Sequence, residues 1–409
     1  MKVREEFPAD APVDVPALVA ALVTEPPGGP LTVGDERVSE FLTAFGRRLL
    51  APGTVRRHPE LGSLAFFLRR GGLARSLADL STPSGALRFP RGLVFHLPPA
   101  NVDTVFVYAW ALAALAGNHN VVRISPRSGG VAAAVLDALR ETLADGHPAV
   151  AHSQRMVTYD RDDAVTAVLS AACDLRVIWG GDESVRRLRA IALPPGARDL
   201  VFPDRSSFCV LSAAGWLAAP ATERRSLAER LCTDVYWFDQ AACSSPRTLF
   251  WVGTPEVARR AGAELSAELL AVVGARAPQV PTSMVLHKYV TAFGLAAEGV
   301  ADRIRFAGNA VTHLDLSAAD GPLRDWLGAG TFAWARLDRL ADLAGMVRRR
   351  DQTVTHFGFG AAELTELARA CGGRGVDRIV PVGRALDFAP VWDGYELLRE
   401  FTRLTTVTT

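Results

Sequence analysis

A chain of 409 residues with 49% apolar and 22% charged side chains is long enough for two or three domains with sizeable cores. That balance excludes a disordered chain, a coiled coil and a collagen-like fibre, and a net charge of +1 demands no acidic partner such as nucleic acid or an anionic membrane. Lys2 and Lys288 are the only lysines among 45 basic residues, so the excess is arginine. With abundant Ala and Gly it reads as codon bias and is discounted as a sign of nucleic-acid binding.

The opening MKVREEFPADAP lacks the apolar stretch of a secretory signal, and residues 1–35 read as a Pro-rich, irregular N-terminal arm. From Val38 to Leu80 apolar residues recur at helical spacing. GLVFHL (92–97) reads as a strand broken by Pro98 and Pro99, and Val102 to Gly117 as a buried helix. That run contains Asp103 and falls short of the roughly 20 residues that span a bilayer. HNVVRI (119–124), MVTYD (156–160) and LRVIW (175–179) follow as strands, with helices at 131–144 and 163–172 between them. The second of these helices opens on aspartates suited to cap it. GGDESVRRLRAIA reads as a turn and helix, and 200–202 and 208–212 as further strands. Strands alternating with helices predict a mostly parallel α/β sheet, whose ligands bind at the carboxyl ends of the strands. A second block begins near Ala214: a helix at 221–236, the loop WFDQAACSSP, a strand at 248–253 and a helix at 254–273. Residues 281–375 continue as mixed α/β.

Five cysteines, odd in number, scattered and without CxxC spacing, argue against disulfides or zinc and for a reducing cytoplasm. Cys243 lies in a loop, between Asp239-Gln240 and Ser244-Ser245-Pro246, whereas Cys173, Cys209, Cys232 and Cys371 sit in apolar or helical patterns. Cys243 is therefore the candidate nucleophile, weighed against a purely structural thiol. Asn101 falls between a strand end and a helix start, where its carboxamide either caps the helix or donates to a developing oxyanion. His96 reads as a packing histidine, and His313 and His356 as isolated packing or surface residues.

No G-x-G-x-x-G follows the first strand, and Gly358-Phe359-Gly360 lacks the third glycine. Gly180 and Gly181 follow a strand and lead into a helix, suiting close backbone approach to a cofactor. Arg123 and Arg127 flank Ile124-Ser125-Pro126 at another strand end. They are read either as partners of a 2′-phosphate or as solvated arginines. No G-x-S-x-G, P-loop, H-E-x-x-H or zinc-ligand spacing is present.

Several segments, in order, resemble the aldehyde dehydrogenase superfamily: AWALAALAGNHNVVRISPRSGG, VIWGGDESV and DQAACSSP. Within it, ELGSLAFFLRRGGL, DQAACSSP, the QTV at Gln352 to Val354 and WDGYELL resemble the acyl-CoA reductase (LuxC) family, the fatty-acid reductase component of bacterial luminescence systems. The resemblance spans roughly residues 38–409. It implies an aldehyde-dehydrogenase-like α/β fold, with a Rossmann-type cofactor domain at 36–212, completed by 381–409, and an α/β catalytic domain at 213–380.

It further implies that Cys243 attacks an acyl thioester and that NADPH reduces the acyl-enzyme to an aldehyde. Asn101 would bind the oxyanion, and Gly180 and Gly181 would form the cofactor loop. Arg127 stands where NAD-specific members carry a ribose-binding glutamate, which favours NADPH, with Ser125 and Arg123 as helpers. Oxidising relatives carry a water-activating glutamate. Anchoring that stretch on Arg205-Ser206 puts Val201 in its place, and a valine cannot act as a base. The proton donor is unassigned, with His313 and His356 as candidates.

The expectation is a cytoplasmic, metal-free homo-oligomer taking acyl-CoA or a carrier-bound acyl group, with an acyl-synthetase or acyl-transferase as a possible partner and neither nucleic acid nor membrane. A conventional NAD(P)-dependent aldehyde dehydrogenase and a cysteine acyltransferase or thioesterase stand as alternatives.

Overall fold

A computed structural model describes residues 1–99 and 104–408. The chain divides into two compact units, Met1–Pro203 joined by Phe388–Thr409, and Asp204–Asp387.

The first unit is built on a seven-stranded sheet. Strands β1 (Lys2–Phe7) and β2 (Ala11–Asp14) form one edge, while β3 (Ala86–Pro90) pairs separately with the strand Thr402–Thr406. Strands β4 (Leu93–Leu97), β5 (His119–Ile124), β6 (Gln154–Thr158), β7 (Leu175–Trp179) and β8 (Arg198–Phe202) run parallel. The sheet order is β2-β1-β6-β5-β4-β7-β8, with β1 antiparallel to both of its neighbours. Every residue of β4, LVFHL, is buried, because a parallel sheet is covered on both faces and selects continuous apolar strands. Helix Val105–Leu115 is apolar all round, and Tyr108 and Trp110 on it are wholly buried. The Asp162 carboxylate accepts from the amides of Ala164 and Val165, the cap expected from the sequence. His96 is a packing residue: its Nε2 meets Asn120 Oδ1 at 2.9 Å, and burial pulls its pKa down to about 4.

Residues 1–35 depart from the irregular arm expected of them. Val3, Glu5 and Phe7 alternate inward along β1, which pairs with β6, and helix Val15–Leu22 buries Val15, Leu18 and Leu22. The alternation is only six residues long and carries a charge inward. Glu5 is held by Arg155 at 3.3 Å, and burial raises its pKa.

The second unit carries its own seven-stranded sheet. Its strands are β9 (Ser206–Ser212), β10 (Pro246–Val252), β11 (Ala301–Ala307), β12 (Val311–Leu316), β13 (Thr331–Leu337), β14 (Asp351–Phe357) and β15 (Arg378–Pro381), ordered β11-β12-β13-β10-β9-β14-β15. All pairings are parallel except β11 with β12. Helices Ala221–Tyr236 and Pro255–Arg276 bury Leu227, Leu231, Leu265 and Leu269 with Cys209, Leu211 and Leu249 of the sheet. Phe208, Val210, Phe250 and Val354 cluster instead with Leu343, Leu367 and Cys371. The unit therefore begins at Asp204 rather than at 213, because β9 pairs with β10 and β14, and it ends at Asp387 rather than at 380, because β15 pairs with β14. No helix among the described residues is long and apolar enough to cross a membrane.

Candidate active site

In the first unit the carboxyl ends of four parallel strands open onto one cavity of about 810 Å³. Strand β4 contributes Leu97-Pro98-Pro99, β5 Ser125-Pro126-Arg127, β6 Asp160-Arg161, and β7 Trp179-Gly180-Gly181. All five residues named as cofactor candidates (Arg123, Ser125, Arg127, Gly180 and Gly181) line it. The Gly180 amide donates to the Phe202 carbonyl at 3.1 Å, which holds the turn after β7. A Cβ at Gly181, the N-cap of helix Asp182–Arg189, would meet nothing within 4 Å, so the backbone there faces open space. Ser125 Oγ accepts from the Arg127 amide at 3.2 Å, closing the turn that presents both residues.

The cavity is cationic. Arg123 lies over the Tyr159 ring at 4.9 Å and donates to the Tyr159 carbonyl at 3.2 Å. Burial, and then the neighbouring arginines Arg187, Arg161 and Arg127, depress its pKa. Two of those arginines were not anticipated. Arg161 belongs to the end of β6, and Arg187, paired with Asp163 at 2.6 Å, projects from the helix after Gly181 one turn beyond Ser184. The helix position was readable from the sequence, since Ser184 and Arg187 share a face in GGDESVRR. The β6 end was not, because no local motif marks it.

Cys243 belongs to the second unit, in the loop between helix Ala221–Tyr236 and β10. Asp239 and Gln240 take positive φ of 50° and 59°, which turns the chain back after the helix. The buried Gln240 side chain then ties three strands of chain together. Its Nε2 donates to the carbonyls of Pro246 (2.7 Å) and Thr331 (3.0 Å), and its Oε1 accepts from the Thr331 amide at 3.2 Å. Ser245 Oγ donates to the Asp234 carbonyl at 2.7 Å, and Trp326 Nε1 to the Asp239 carbonyl at 2.9 Å.

Ser207 completes the loop. Its Oγ donates to the Cys243 carbonyl at 2.6 Å and accepts from the Thr353 amide at 3.0 Å. Both neighbours of β9 bulge around this serine. On β10 the register passes from Pro246–Ser207 to Thr248–Phe208, and on β14 from Asp351–Ser206 to Val354–Phe208. Bulges of this kind re-aim side chains beside functional sites.

Cys243 is half-buried, whereas Cys173, Cys209, Cys232 and Cys371 are buried. Burial pushes the thiols of Cys173 and Cys209 up to about 12 and that of Cys232 to about 11, so none of these is a thiolate near neutral pH. His313 packs between Phe332 and Trp334, meets Ser266 Oγ at 3.2 Å, and is pulled down to about 4 by burial. His356 pairs with Val210, opposite Phe250, four residues up the sheet from Pro246 and on the order of 13 Å away. Neither histidine is placed as an obvious proton donor. Val201 sits in β8 without a carboxylate at its own position. Asn101 lies outside the described residues. No group of three His, Cys, Asp or Glu side chains that could hold a metal occurs among the described residues.

Residues 79–288, more than half of the chain, match the sequence profile of the acyl-CoA reductase (LuxC) family. The chain belongs to this family. The LuxC segment includes the cavity residues of the first unit and the Cys243 loop of the second. A long-chain acyl-protein thioester reductase of Photorhabdus luminescens is 27% identical over 168 residues, covering 41% of this chain and 33% of that protein. The match thus spans about a third of the length of the curated relative. Among solved structures, an NAD-dependent aldehyde dehydrogenase of Sinorhizobium meliloti superposes with a TM-score of 0.70 at 14% identity, covering 96% of this chain and 86% of the other. An aldehyde dehydrogenase of Mycobacterium tuberculosis complexed with NAD+ gives 0.67 at 15% identity, covering 96% and 89%. This LuxC chain therefore has the aldehyde-dehydrogenase-like α/β fold.

Proposed function

We propose that the chain reduces an acyl thioester to an aldehyde, with NADPH as reductant and Cys243 as the residue that carries the acyl group. The observation that carries this reading is Cys243 itself, half-buried on a loop pinned by Ser207 and Gln240 within the segment that matches the family. The Cys243 thiolate attacks the thioester carbonyl, a new C–S bond forms, and the bond to the leaving thiol breaks, that thiolate taking a proton from water. Asn101, by the family resemblance, donates to the oxyanion that develops on the carbonyl oxygen. Val201, which the family resemblance sets where oxidising relatives carry a glutamate, would give water no help in removing the acyl group, which favours reduction over hydrolysis.

The cavity of the first unit fits a phosphorylated dinucleotide. Open space at the Gly181 backbone suits a diphosphate, and Arg123 and Arg127 with Ser125 suit a 2′-phosphate, with Arg161 and Arg187 adding charge. Bound NADPH would supply the hydride that turns the held acyl group into an aldehyde and frees Cys243. The name of the Photorhabdus relative supports a long-chain acyl group carried on a protein as donor, with acyl-CoA as the small-molecule equivalent.

Incubation with a long-chain acyl-CoA and NADPH is expected to consume NADPH and form aldehyde in equal amounts, and Cys243→Ala to abolish both. Oxidation of an aldehyde to the carboxylate with NADP+ and no added thiol, unmatched by thioester reduction, would overturn the reading in favour of a conventional aldehyde dehydrogenase.

A further inference from the structure

Arg247 is the extra residue of the β10 bulge, because Pro246 pairs with Ser207 and Thr248 with the very next residue, Phe208. The bulge turns a full guanidinium into the interior, where Arg247 is only 4% exposed. One Nη donates to the Arg324 carbonyl, and Nε has no hydrogen-bond partner among the described residues. Among the described residues no carboxylate stands within ion-pair distance of it. The acids it feels, Asp204 and Asp325, share Arg350 as their direct partner, at 2.5 and 3.2 Å. Asp351 is likewise taken by Arg324 at 2.8 Å, and Asp377 by Arg205 at 2.7 Å. A buried cation resting on a neutral oxygen is costly unless an anion completes it. Cys243 stands four residues earlier on the same loop, its carbonyl fixed by Ser207, the residue opposite the bulge. The Arg247 guanidinium, whose pKa burial lowers, lies within electrostatic reach of Cys243 as well as of Asp204, Arg350 and Asp325.

We propose that Arg247 is the counter-cation of Cys243, and that the resting nucleophile is a thiolate–guanidinium pair formed by loss of the thiol proton to solvent. This rests on the reading of Cys243 as the nucleophile and deepens it. Arginine suits the task because it stays charged at any working pH and cannot take the proton itself, so the pair needs no dedicated base. Asp239, whose own pKa burial raises, is the titratable group on the same loop, with Asp234 at the end of the preceding helix. Carboxylates there oppose the thiolate; Arg378 acts on Asp234, and Arg247 is the cation at the end of the Cys243 loop itself.

The test is the pH dependence of Cys243 alkylation by iodoacetamide in the full chain, read by peptide mass spectrometry and requiring no substrate. In the unsubstituted chain the midpoint is expected at least one pH unit below the ordinary thiol value of about 8.5. Arg247→Met is expected to raise it by roughly one unit, leaving about tenfold less thiolate at neutral pH, and Arg247→Lys to restore most of the shift. A midpoint near 8.5 in the unsubstituted chain overturns the proposal even where Arg247→Met fails to fold. So does a folded Arg247→Met variant with an unshifted midpoint. A low midpoint in a chain that forms no acyl adduct would instead sink the thioester reading and leave the pair standing.

Discussion

Ser207 has no exposed surface and two obligations, the Cys243 carbonyl 36 residues away and the Thr353 amide 146 residues away. Ser207→Ala leaves both without that partner, and an unsatisfied buried group costs about 1–3 kcal/mol. The variant is expected to lose about that much stability in urea unfolding, and thioester turnover should fall further because the loop that carries Cys243 loosens. Unchanged stability would show that the hydroxyl is dispensable. In the cofactor cavity, Arg127→Glu is expected to weaken NADPH binding about 10- to 100-fold, the worth of one hydrogen bond to a charged group, while leaving NADH binding largely unaffected. Titration of both dinucleotides by fluorescence checks this, and equal loss of both would remove Arg127 from the 2′-phosphate. Cys243 was legible from the sequence because a cysteine amid Asp, Gln, Ser and Pro is out of place in a core. Ser207 and Arg247 were not. Their meaning comes from two register shifts on neighbouring strands, and nothing in SSFCVLS or SPRTLFW marks a bulge.

Among the elements, strands buried on both faces were the easiest to read, since LVFHL, LRVIW and FCVLS are predominantly apolar, broken only by His96, Arg176 and the final Ser212. Strand β1 escaped because KVREEF buries a glutamate whose partner, Arg155, is far along the chain. The domain boundary was misplaced for a related reason. FCVLS reads as one more strand of an alternating series, and only its parallel partners, β10 and β14, assign it to the second sheet. The turn before β13 is the tightest backbone approach near the Cys243 loop. Gly330 has φ of 69°, and a Cβ there would run into the Ala310 carbonyl and the Tyr236 hydroxyl. Gly330→Ala is therefore expected to be markedly destabilising, by more than the roughly 1 kcal/mol that a glycine-to-alanine change ordinarily moves. A thermal midpoint within a degree of the parent would contradict this.

Each compact unit holds a histidine kept neutral by burial, His96 in the first and His313 in the second, both pulled from the ordinary 6.5 to about 4. The folded pKa values lie below the unfolded ones, so the unfolded chain binds more protons between pH 6.5 and 4. The stability these residues contribute is complete above about 6.5 and is lost as pH falls towards 4. Urea midpoints are expected to fall through that window in the parent chain and to fall less steeply when His96 and His313 are both replaced by glutamine. Identical slopes would assign acid sensitivity to other groups.

Cys243 as acyl carrier is tested most directly by mass spectrometry of the intact chain after mixing with a long-chain acyl thioester and no reductant. One acyl group per chain is expected, mapped to the peptide containing Cys243, absent from Cys243→Ala, and discharged as aldehyde when NADPH is added. An unmodified chain that still turns over, or an adduct on another residue, would contradict it.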